Sequence, residues 1–200
     1  MVRPRMFDET AVLDAAAAQF RVHGFADTST EQLCQAAGVR RSSLYNTFLS
    51  KDELFVRALR RYVETTGGRQ AAILEDGTLD GMTRLRGVID IVLNEEGAAA
   101  AEGHAAGCMV VGARMTPDLE HRDARIKSIL DRALEQQLSL LDSAIDAGQR
   151  DGTVRSGLIP RDGALLVVSI ISGIRVIAQA GTQPNELRRV AMLGLDVLRP

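Results

Sequence analysis

Residues 41–47 carry the side chains best suited to recognise another molecule through hydrogen bonds. This stretch supplies one guanidinium, three hydroxyls and one amide, from Arg41, Ser42, Ser43, Asn46 and Thr47. Leu44 and Phe48 are four residues apart and share the apolar side of a helix. At about 100° per residue, Ser42 and Asn46 point the opposite way. A helix with this polar face is built to hydrogen-bond a partner rather than to be packed inside the protein.

Two short helices joined by a tight turn are predicted to position this polar face. Thr28 is the expected N-cap of the first helix, and Glu31, three residues later, completes a capping box. Gly38 supplies the sharp turn after that helix, and the second helix is expected to cover Arg41–Phe48. Two helices joined by a turn of about three or four residues that contains glycine form a helix-turn-helix unit.

The chain is predicted to divide into two domains shortly after this unit. A third helix precedes the unit, and a further helix follows it after Ser50, where Leu49 and Leu54 are expected to pack on each other as a hydrophobic staple. All seven aromatic residues lie within the first 62 positions, which fits the need of a small helical unit for large core side chains. We predict one domain at residues 6–66 and a second at residues 67–200.

The second domain is predicted to be helical and to end in two helices that are apolar on more than one side. A mobile segment or short helix is expected over residues 97–107, and one long helix over residues 119–148. The last two helices cover residues 161–180 and 184–198, and they carry more apolar surface than one subunit can bury. We therefore expect a homodimer through a four-helix bundle, with a monomer core helix as the alternative. The fold class is all-α, with about nine helices.

Composition argues against several classes of protein. The net charge of −2 does not suit a general polyanion binder. Two cysteines far apart give no disulfide framework, and we find no signal peptide and no apolar run of about 20 residues. The expected location is therefore the cytoplasm, without a membrane partner. Because the sequence holds no Ser/His/Asp set and no phosphate-binding glycine loop, we expect neither enzyme activity nor a cofactor or metal.

The chain resembles the tetracycline-repressor (TetR) family, and the resemblance is sharp over residues 6–66. It rests on the spacing of Ala37-Gly38-Val39, Leu44-Tyr45, Phe48 and Lys51-Asp52-Glu53-Leu54-Phe55. The resemblance implies that the helix over residues 41–47 enters the major groove of DNA, with Arg41 on guanine and Asn46 on adenine or phosphate. It also implies phosphate contacts from Thr28, Ser29, Tyr45 and Lys51. The expected DNA-contact set is Thr28, Ser29, Arg40, Arg41, Ser42, Ser43, Tyr45, Asn46, Thr47 and Lys51.

Two positions depart from the family pattern. Arg40 stands where the family commonly has a small capping hydroxyl, and Ser42 stands where it often has glycine. The recognition helix is therefore expected either to begin later, capped by Ser42, or to use Arg40 for a phosphate.

The resemblance also implies a homodimeric repressor that binds a near-palindromic operator and is released by a small effector held in the second domain. Candidate effector contacts are the apolar and sulfur-containing side chains Met82, Leu85, Ile89, Cys108, Met109, Met115, Leu134, Leu138 and Ile170. Plain hydrophobic core is the alternative for such residues. Because this part of the sequence has no aromatic residue, an aliphatic or modestly polar ligand is favoured.

Cys108 raises two further possibilities. His104 lies four residues earlier, so the two side chains would share a helix face, and a thiolate near an imidazolium can sense oxidants or electrophiles. With Glu102 and His121, a metal site is also conceivable. An ordinary packed cysteine is the third alternative. For the whole chain, the alternative to a DNA-binding regulator is a helical interaction module that does not bind DNA.

Overall fold

The computed structural model describes residues 8–116 and 118–200, and every regular element within these ranges is an α-helix. The helices are α1 (Glu9–Asp27), α2 (Thr30–Ala37), α3 (Arg41–Phe48), α4 (Lys51–Leu74), α5 (Gly81–Ala101), α6 (Met109–Arg114), α7 (Leu119–Arg122), α8 (Ala124–Asp151), α9 (Pro160–Gln179) and α10 (Pro184–Asp196). The all-α prediction is confirmed. Residues 6 and 7 of the predicted first domain lie outside the described ranges.

Helices α1 to α4 form an amino-terminal head that is closed by aromatic rings. Asp8 caps α1 by accepting a hydrogen bond from the Ala11 N–H at 3.2 Å. Phe20 and Phe25 each meet the ring of Phe55 edge to face, with centroids 5.0 and 5.1 Å apart. Edge-to-face pairs add to the stabilisation that burial provides. The rings therefore fix α1 on α4, the helices that flank α2 and α3 in the chain.

Helices α5 to α10 form the body, and its hydrophobic residues divide into two clusters. One cluster continues from the head into α6, α7 and the start of α8 through Met109, Leu119 and Leu130. The other fills the space between α5, the later part of α8, α9 and α10. Helix α4 runs across residue 66 without interruption. The boundary between the two predicted domains therefore stays a prediction.

The long helix predicted over residues 119–148 is interrupted at Asp123. This residue is extended (φ −149°, ψ 112°), and its carboxylate accepts a hydrogen bond from the Arg125 N–H at 2.9 Å, which caps α8. An aspartate that can cap a new helix competes with helix continuation. The apolar pattern of the sequence continues through this point and does not reveal the break.

The segment between α5 and α6 is tied to the head by a close backbone contact. Helix α5 continues to Ala101, further than expected, and only the rest of the predicted segment 97–107 is irregular. Gly107 has φ +67°, and a Cβ there would lie 2.1 Å from the carbonyl oxygen of Arg21 in α1. Glycine is required by both the angle and the approach. The next residue, Cys108, is thereby held close to the head.

Candidate nucleic-acid interface and internal cavity

The turn between α2 and α3 has the geometry expected of a helix-turn-helix, but a different residue caps α2. Ser29 is the N-cap: its hydroxyl accepts from the Gln32 N–H at 3.2 Å, and the Gln32 side chain accepts from the Ser29 N–H at 2.7 Å. The capping box predicted for Thr28 and Glu31 is therefore wrong by one residue. Gly38 ends α2 in the left-handed conformation, with φ 65° and ψ 28°.

Helix α3 has the predicted bounds and presents the predicted polar face. Leu44 and Phe48 are buried in the head, whereas the four polar side chains Arg41, Ser42, Ser43 and Asn46 are exposed. Thr47 is half-buried, and its hydroxyl donates to the Ser43 carbonyl at 3.2 Å. The helix begins at Arg41 with exposed Arg40 as an N-cap that makes no side-chain capping bond. The alternative in which Ser42 caps a later start is therefore wrong.

The predicted phosphate-contact residues differ in how the fold presents them. Ser29 is exposed, while Tyr45 is half-buried and its hydroxyl lies 2.9 Å from the Thr30 hydroxyl. Lys51 is half-buried, with its ammonium 4.5 Å from the centre of the Phe25 ring. Partial burial is the main cause that lowers the pKa of Lys51 from its usual value. Ser29 caps α2, Tyr45 lies within α3, and Lys51 is the first residue of α4.

Thr28 is a correction to the expected contact set. It is completely buried, and its hydroxyl donates to the Gly24 carbonyl at 2.5 Å. Because the Thr28 hydroxyl is buried and hydrogen-bonded within the bend at the end of α1, it is not presented to a phosphate. The side chain of Thr28 is therefore structural in this conformation.

Leu49, between α3 and α4, has an unusual backbone. Its φ of 62° and ψ of −44° place it at the centre of a γ-turn, which the Ser50 N–H closes by donating to the Phe48 carbonyl at 2.6 Å. This positive-φ form of the γ-turn is rare and strained, at a cost of about 1–3 kcal/mol. The side chain is 80% exposed, so the hydrophobic staple predicted with Leu54 does not form.

Helices α9 and α10 leave an apolar surface uncovered in the single chain. Its exposed side chains are Leu165, Val176, Ile177, Val190, Leu193 and Val197. Helix α9 is long and apolar enough to cross a membrane by length and composition, so the expectation that no apolar run reaches about 20 residues is wrong. It packs instead against α8 and α10, with Val167 and Ile174 in the second hydrophobic cluster. Several large apolar side chains exposed on two helices that pack together are typical of a protein–protein interface.

The body contains a cavity of about 740 Å³ between α4, α5, α6, α8 and α9. Three of the nine predicted effector residues line it, namely Cys108, Met115 and Leu134. Met82, Leu85, Ile89 and Leu138 are buried in the second hydrophobic cluster, Ile170 packs against that cluster, and Met109 is buried in the first. Apolar side chains such as Val92, Val111, Leu140, Val168 and Ile171 form much of the wall.

Tyr62 also lines this cavity, so the expectation that no aromatic ring is available there is wrong. The residue belongs to α4, which extends from the head into the body. Burial, and next the proximity of Cys108, raise the pKa of the Tyr62 phenol well above its usual value. Tyr62 therefore presents a neutral hydroxyl and a flat apolar surface.

One wall of the cavity holds a cluster of charges that connects four helices. Arg175 in α9 is 6% exposed and donates to Glu96 at 2.7 Å and to Glu95, both in α5. Glu95 also pairs with Arg69 of α4 at 3.0 Å and with Arg21 of α1 at 3.6 Å. Glu96 accepts a further hydrogen bond from the Ala106 N–H at 2.9 Å. The cluster therefore joins the head, the connecting helix α4 and the apolar helix α9.

Cys108 and His104 do not share a helix face. Cys108 is the N-cap of α6, and its side chain interacts with the Tyr62 hydroxyl. His104 lies in the irregular segment before α6, where its ring contacts Glu102 at 3.3 Å and the Ala105 carbonyl at 2.9 Å. Within the described ranges, no three His, Cys, Asp or Glu side chains come together as a possible metal site.

Sequence reasoning missed four residues that the structure makes prominent: Leu49, Tyr62, Glu95 and Arg175. One signal was present for Arg175, because it is the single charged residue in the apolar stretch over residues 163–178. A charge at such a position requires a buried partner. For Leu49 the sequence argues against the observed backbone conformation, because leucine is unusual at positive φ.

The comparison with known proteins first identifies the family that the head resembles. Residues 12–58 match the bacterial regulatory proteins of the tetR family. The HTH-type transcriptional repressor ComR of Escherichia coli (strain K12) is 38% identical over 72 residues, which cover 36% of this chain and 34% of ComR. The HTH-type transcriptional repressor BdcR of the same strain is 30% identical over 125 residues, which cover 62% of this chain and 61% of BdcR. The chain thus matches between about a third and three-fifths of the length of these relatives.

The similarity of fold extends over the whole chain. A cysteine mutant of the TetR family transcriptional regulator CifR, solved in complex with a 26-bp double-strand operator DNA, has a TM-score of 0.79. It is 25% identical to this chain, and the superposition covers 96% of this chain and 98% of CifR. Head and body together therefore have the fold of a DNA-binding regulator.

Proposed function

In its helix-turn-helix domain and in its fold, the chain belongs to the TetR family of bacterial regulatory proteins, and from this premise we propose that it is a ligand-responsive transcriptional repressor. It binds a near-palindromic operator as a homodimer in the cytoplasm, and a small effector releases it. The observation that carries the proposal is the exposed face of α3, where Arg41, Ser42, Ser43 and Asn46 stand above a fully buried apolar side. A non-DNA helical module would not need this face.

Different residues of the head are proposed to recognise bases and to bind phosphates. Arg41 and Asn46 have the donor and acceptor patterns that recognise guanine and adenine in the major groove. Arg40 and Tyr45 belong to the start and the body of α3, while Ser29 caps α2 and Lys51 begins α4. We propose that these residues bind phosphates and thus fix the orientation of α3.

Substitution of Arg41 and of Lys51 distinguishes these two roles. Arg41→Ala is expected to weaken binding and to relax specificity at one base pair of each half-site, because it removes a base contact. Lys51→Ala is expected to weaken binding to all sequences alike and to reduce the salt slope by about one. The measurement is a titration of operator and random DNA at several salt concentrations.

Arg132→Ala is the matched control, since it removes the same charge from the exposed side of α8 in the body. It should bind DNA like the unchanged protein. If Arg41→Ala and Lys51→Ala also behaved like the unchanged protein, this docking of the head would be wrong.

The apolar surface of α9 and α10 supports the homodimer. Two copies that bury this surface against each other form a four-helix bundle with twofold symmetry. The two heads then lie on one side at a fixed separation, which suits half-sites spaced by about one helical turn or a multiple of it. The spacing is therefore a property of the body as much as of the heads.

The cavity and its charge cluster support regulation by a small effector. A volume of about 740 Å³ is within the range of small-molecule sites. Glu95 in the cavity wall pairs with Arg21 of the head, Arg69 of α4 and Arg175 of α9. An effector that favours one arrangement of these pairs changes the relative population of DNA-binding and released forms. The expected ligand is largely apolar, with Tyr62 as a flat contact surface.

A second candidate for the signal is the Cys108 thiol, which lines the same cavity beside the Tyr62 hydroxyl. An aldehyde in the cavity would react when Sγ adds to the carbonyl carbon and the thiol proton passes to the oxygen, which gives a hemithioacetal. The product occupies the cavity as an effector would.

Methylglyoxal tests this candidate. It is expected to release operator DNA from the unchanged protein and to have no effect on Cys108→Ser, while Cys34→Ser serves as the matched control and should respond normally. Equal release from the Cys108→Ser protein would exclude the thiol as the sensor.

A further inference from the structure

The charge cluster in the cavity wall contains more guanidinium groups than carboxylates. Its members are the arginines Arg21, Arg69 and Arg175 and the glutamates Glu95 and Glu96. The carboxylate of Glu95 pairs with all three arginines. Glu95 is 17% exposed and Arg175 is 6% exposed, so the centre of the cluster is largely shielded from water. The cluster therefore carries a net charge of +1 that no carboxylate within it compensates.

Two donors in this cluster also lack an acceptor. The Nε atoms of Arg21 and Arg175 are buried, and they make no hydrogen bond within the described part of the chain. A buried N–H without an acceptor is costly, and a bound group that accepts from it is one explanation for its presence. Arg175 lines the cavity, so one of these unpaired donors belongs to a side chain that borders the space for a ligand.

Arg69 is the member of the cluster that a ligand can reach directly. It lines the cavity, its side chain is 51% exposed, and it pairs with Glu95 at 3.0 Å. A guanidinium carries more N–H donors than this one ion pair uses, in a fork that fits a carboxylate. Arg114 also lines the cavity, but it already pairs with two carboxylates, those of Glu120 and Asp131. Arg69 is therefore the better anchor for an anion.

The rest of the cavity suits an apolar group. Its wall consists largely of aliphatic side chains, among them Val111, Leu140 and Val168. Glu64 and Glu75 also border the cavity, but both are exposed, so water and salt screen their charges. A ligand that matches the whole cavity is thus anionic at one end and apolar over the remainder.

We propose that the effector is an amphipathic carboxylic acid whose carboxylate binds Arg69 and Arg175 and whose apolar tail occupies the cavity. This inference rests on the proposed function, because it names the chemical class of the ligand that releases the operator. One carboxylate supplies one negative charge and several acceptor sites, which are what the cluster lacks. The acid thereby competes with Glu95, the carboxylate that pairs with Arg21 of the head.

Matched acids and alcohols test the requirement for a negative charge. Octanoate is expected to bind the unchanged protein about tenfold more tightly than octanol, because it forms charge-assisted hydrogen bonds. Hexanoate is expected to bind about tenfold more weakly than octanoate, because it buries two methylene groups fewer. Cinnamate and cinnamyl alcohol form a second pair, whose ring suits the flat surface of Tyr62. Isothermal titration calorimetry without DNA measures each dissociation constant.

Arg69→Gln distinguishes a ligand contact from a structural role. Arg69 is half exposed, so its replacement tests the contact without removing a buried charge. Affinity for octanoate should fall about tenfold, whereas affinity for octanol should not change. Arg114→Gln removes the charge of another arginine that lines the cavity. It is the matched control and should bind octanoate like the unchanged protein.

Fluorescence anisotropy of a labelled, selected operator connects acid binding with regulation. Octanoate should release the operator from the unchanged protein, and Arg69→Gln should need a higher concentration for the same release. Three results would overturn the inference: the acids bind no more tightly than the alcohols, Arg69→Gln does not weaken octanoate binding selectively, or bound acid leaves the operator complex intact.

The failure of this inference is distinguishable from the failure of the proposed function. In each of the three cases, operator binding by the unchanged protein would leave its role as a DNA-binding regulator intact. If the unchanged protein bound no DNA, the proposed function would fail, and calorimetry would still show whether the cavity selects acids.

Discussion

Replacing Leu193 by arginine is expected to convert the dimer into a monomer and to weaken operator binding by about a hundredfold or more. Leu193 is 69% exposed in the single chain, so the substitution leaves the fold of the subunit intact. In a twofold interface each copy brings the same residue, so each copy would bury one guanidinium group without a partner. A monomer engages one half-site and loses the effective concentration that the linked second head provides.

Sedimentation velocity and operator titration of the same samples measure both effects. Met115→Arg adds the same charge at another highly exposed apolar residue, outside α9 and α10, and should remain a dimer. A dimer of unchanged stability in Leu193→Arg would show that α9 and α10 do not form the interface.

Glu96→Ala is expected to lower the free energy of unfolding by about 1–3 kcal/mol, because it removes one of the two carboxylate partners of the buried Arg175 guanidinium and leaves buried donors without an acceptor. Glu96 is 2% exposed, and its carboxylate accepts from both Arg175 and the Ala106 N–H. The substitution therefore also removes the acceptor of a buried backbone donor. Urea denaturation at one fixed protein concentration gives the free energy, since dimerisation contributes to the apparent stability.

Glu135→Ala is the matched control for this effect. Glu135 pairs with Arg161 at 2.7 Å, but both side chains are well exposed. Water replaces such a partner, so the free energy of unfolding should change little. If Glu96→Ala were no more destabilised than Glu135→Ala, the charge cluster would not hold the cavity wall together.

The helix-turn-helix could be predicted almost completely from the sequence, because its signals are local. The spacing of Leu44 and Phe48 and the position of Gly38 gave the bounds of α3 and the turn. The error at the start of α2 has a tertiary cause. Thr28 and Ser29 are neighbouring hydroxyl residues that can both act as caps, and the bend at Gly24 takes the Thr28 hydroxyl as a donor. The sequence pattern does not show which of these two hydroxyls caps α2.

The cavity could be predicted only in part, because an apolar pattern shows which side of a helix is buried but not what it is buried against. Leu134 and Leu138 lie one turn apart on α8, yet Leu134 lines the cavity and Leu138 packs in the core. The ion pairs of Arg175 join residues that are 79 and 80 positions apart in the chain. Pairing over such distances follows from the packing of α5 on α9, which no local signal records.

Selection of binding sites from a random duplex library of about 30 bp tests most directly whether the α3 faces of a dimer read DNA. We predict that the unchanged protein enriches one short half-site in two inverted copies, at a fixed separation of about one helical turn or a multiple of it. Sequences without enrichment, or a half-site that occurs in a single copy without a partner, would contradict the account.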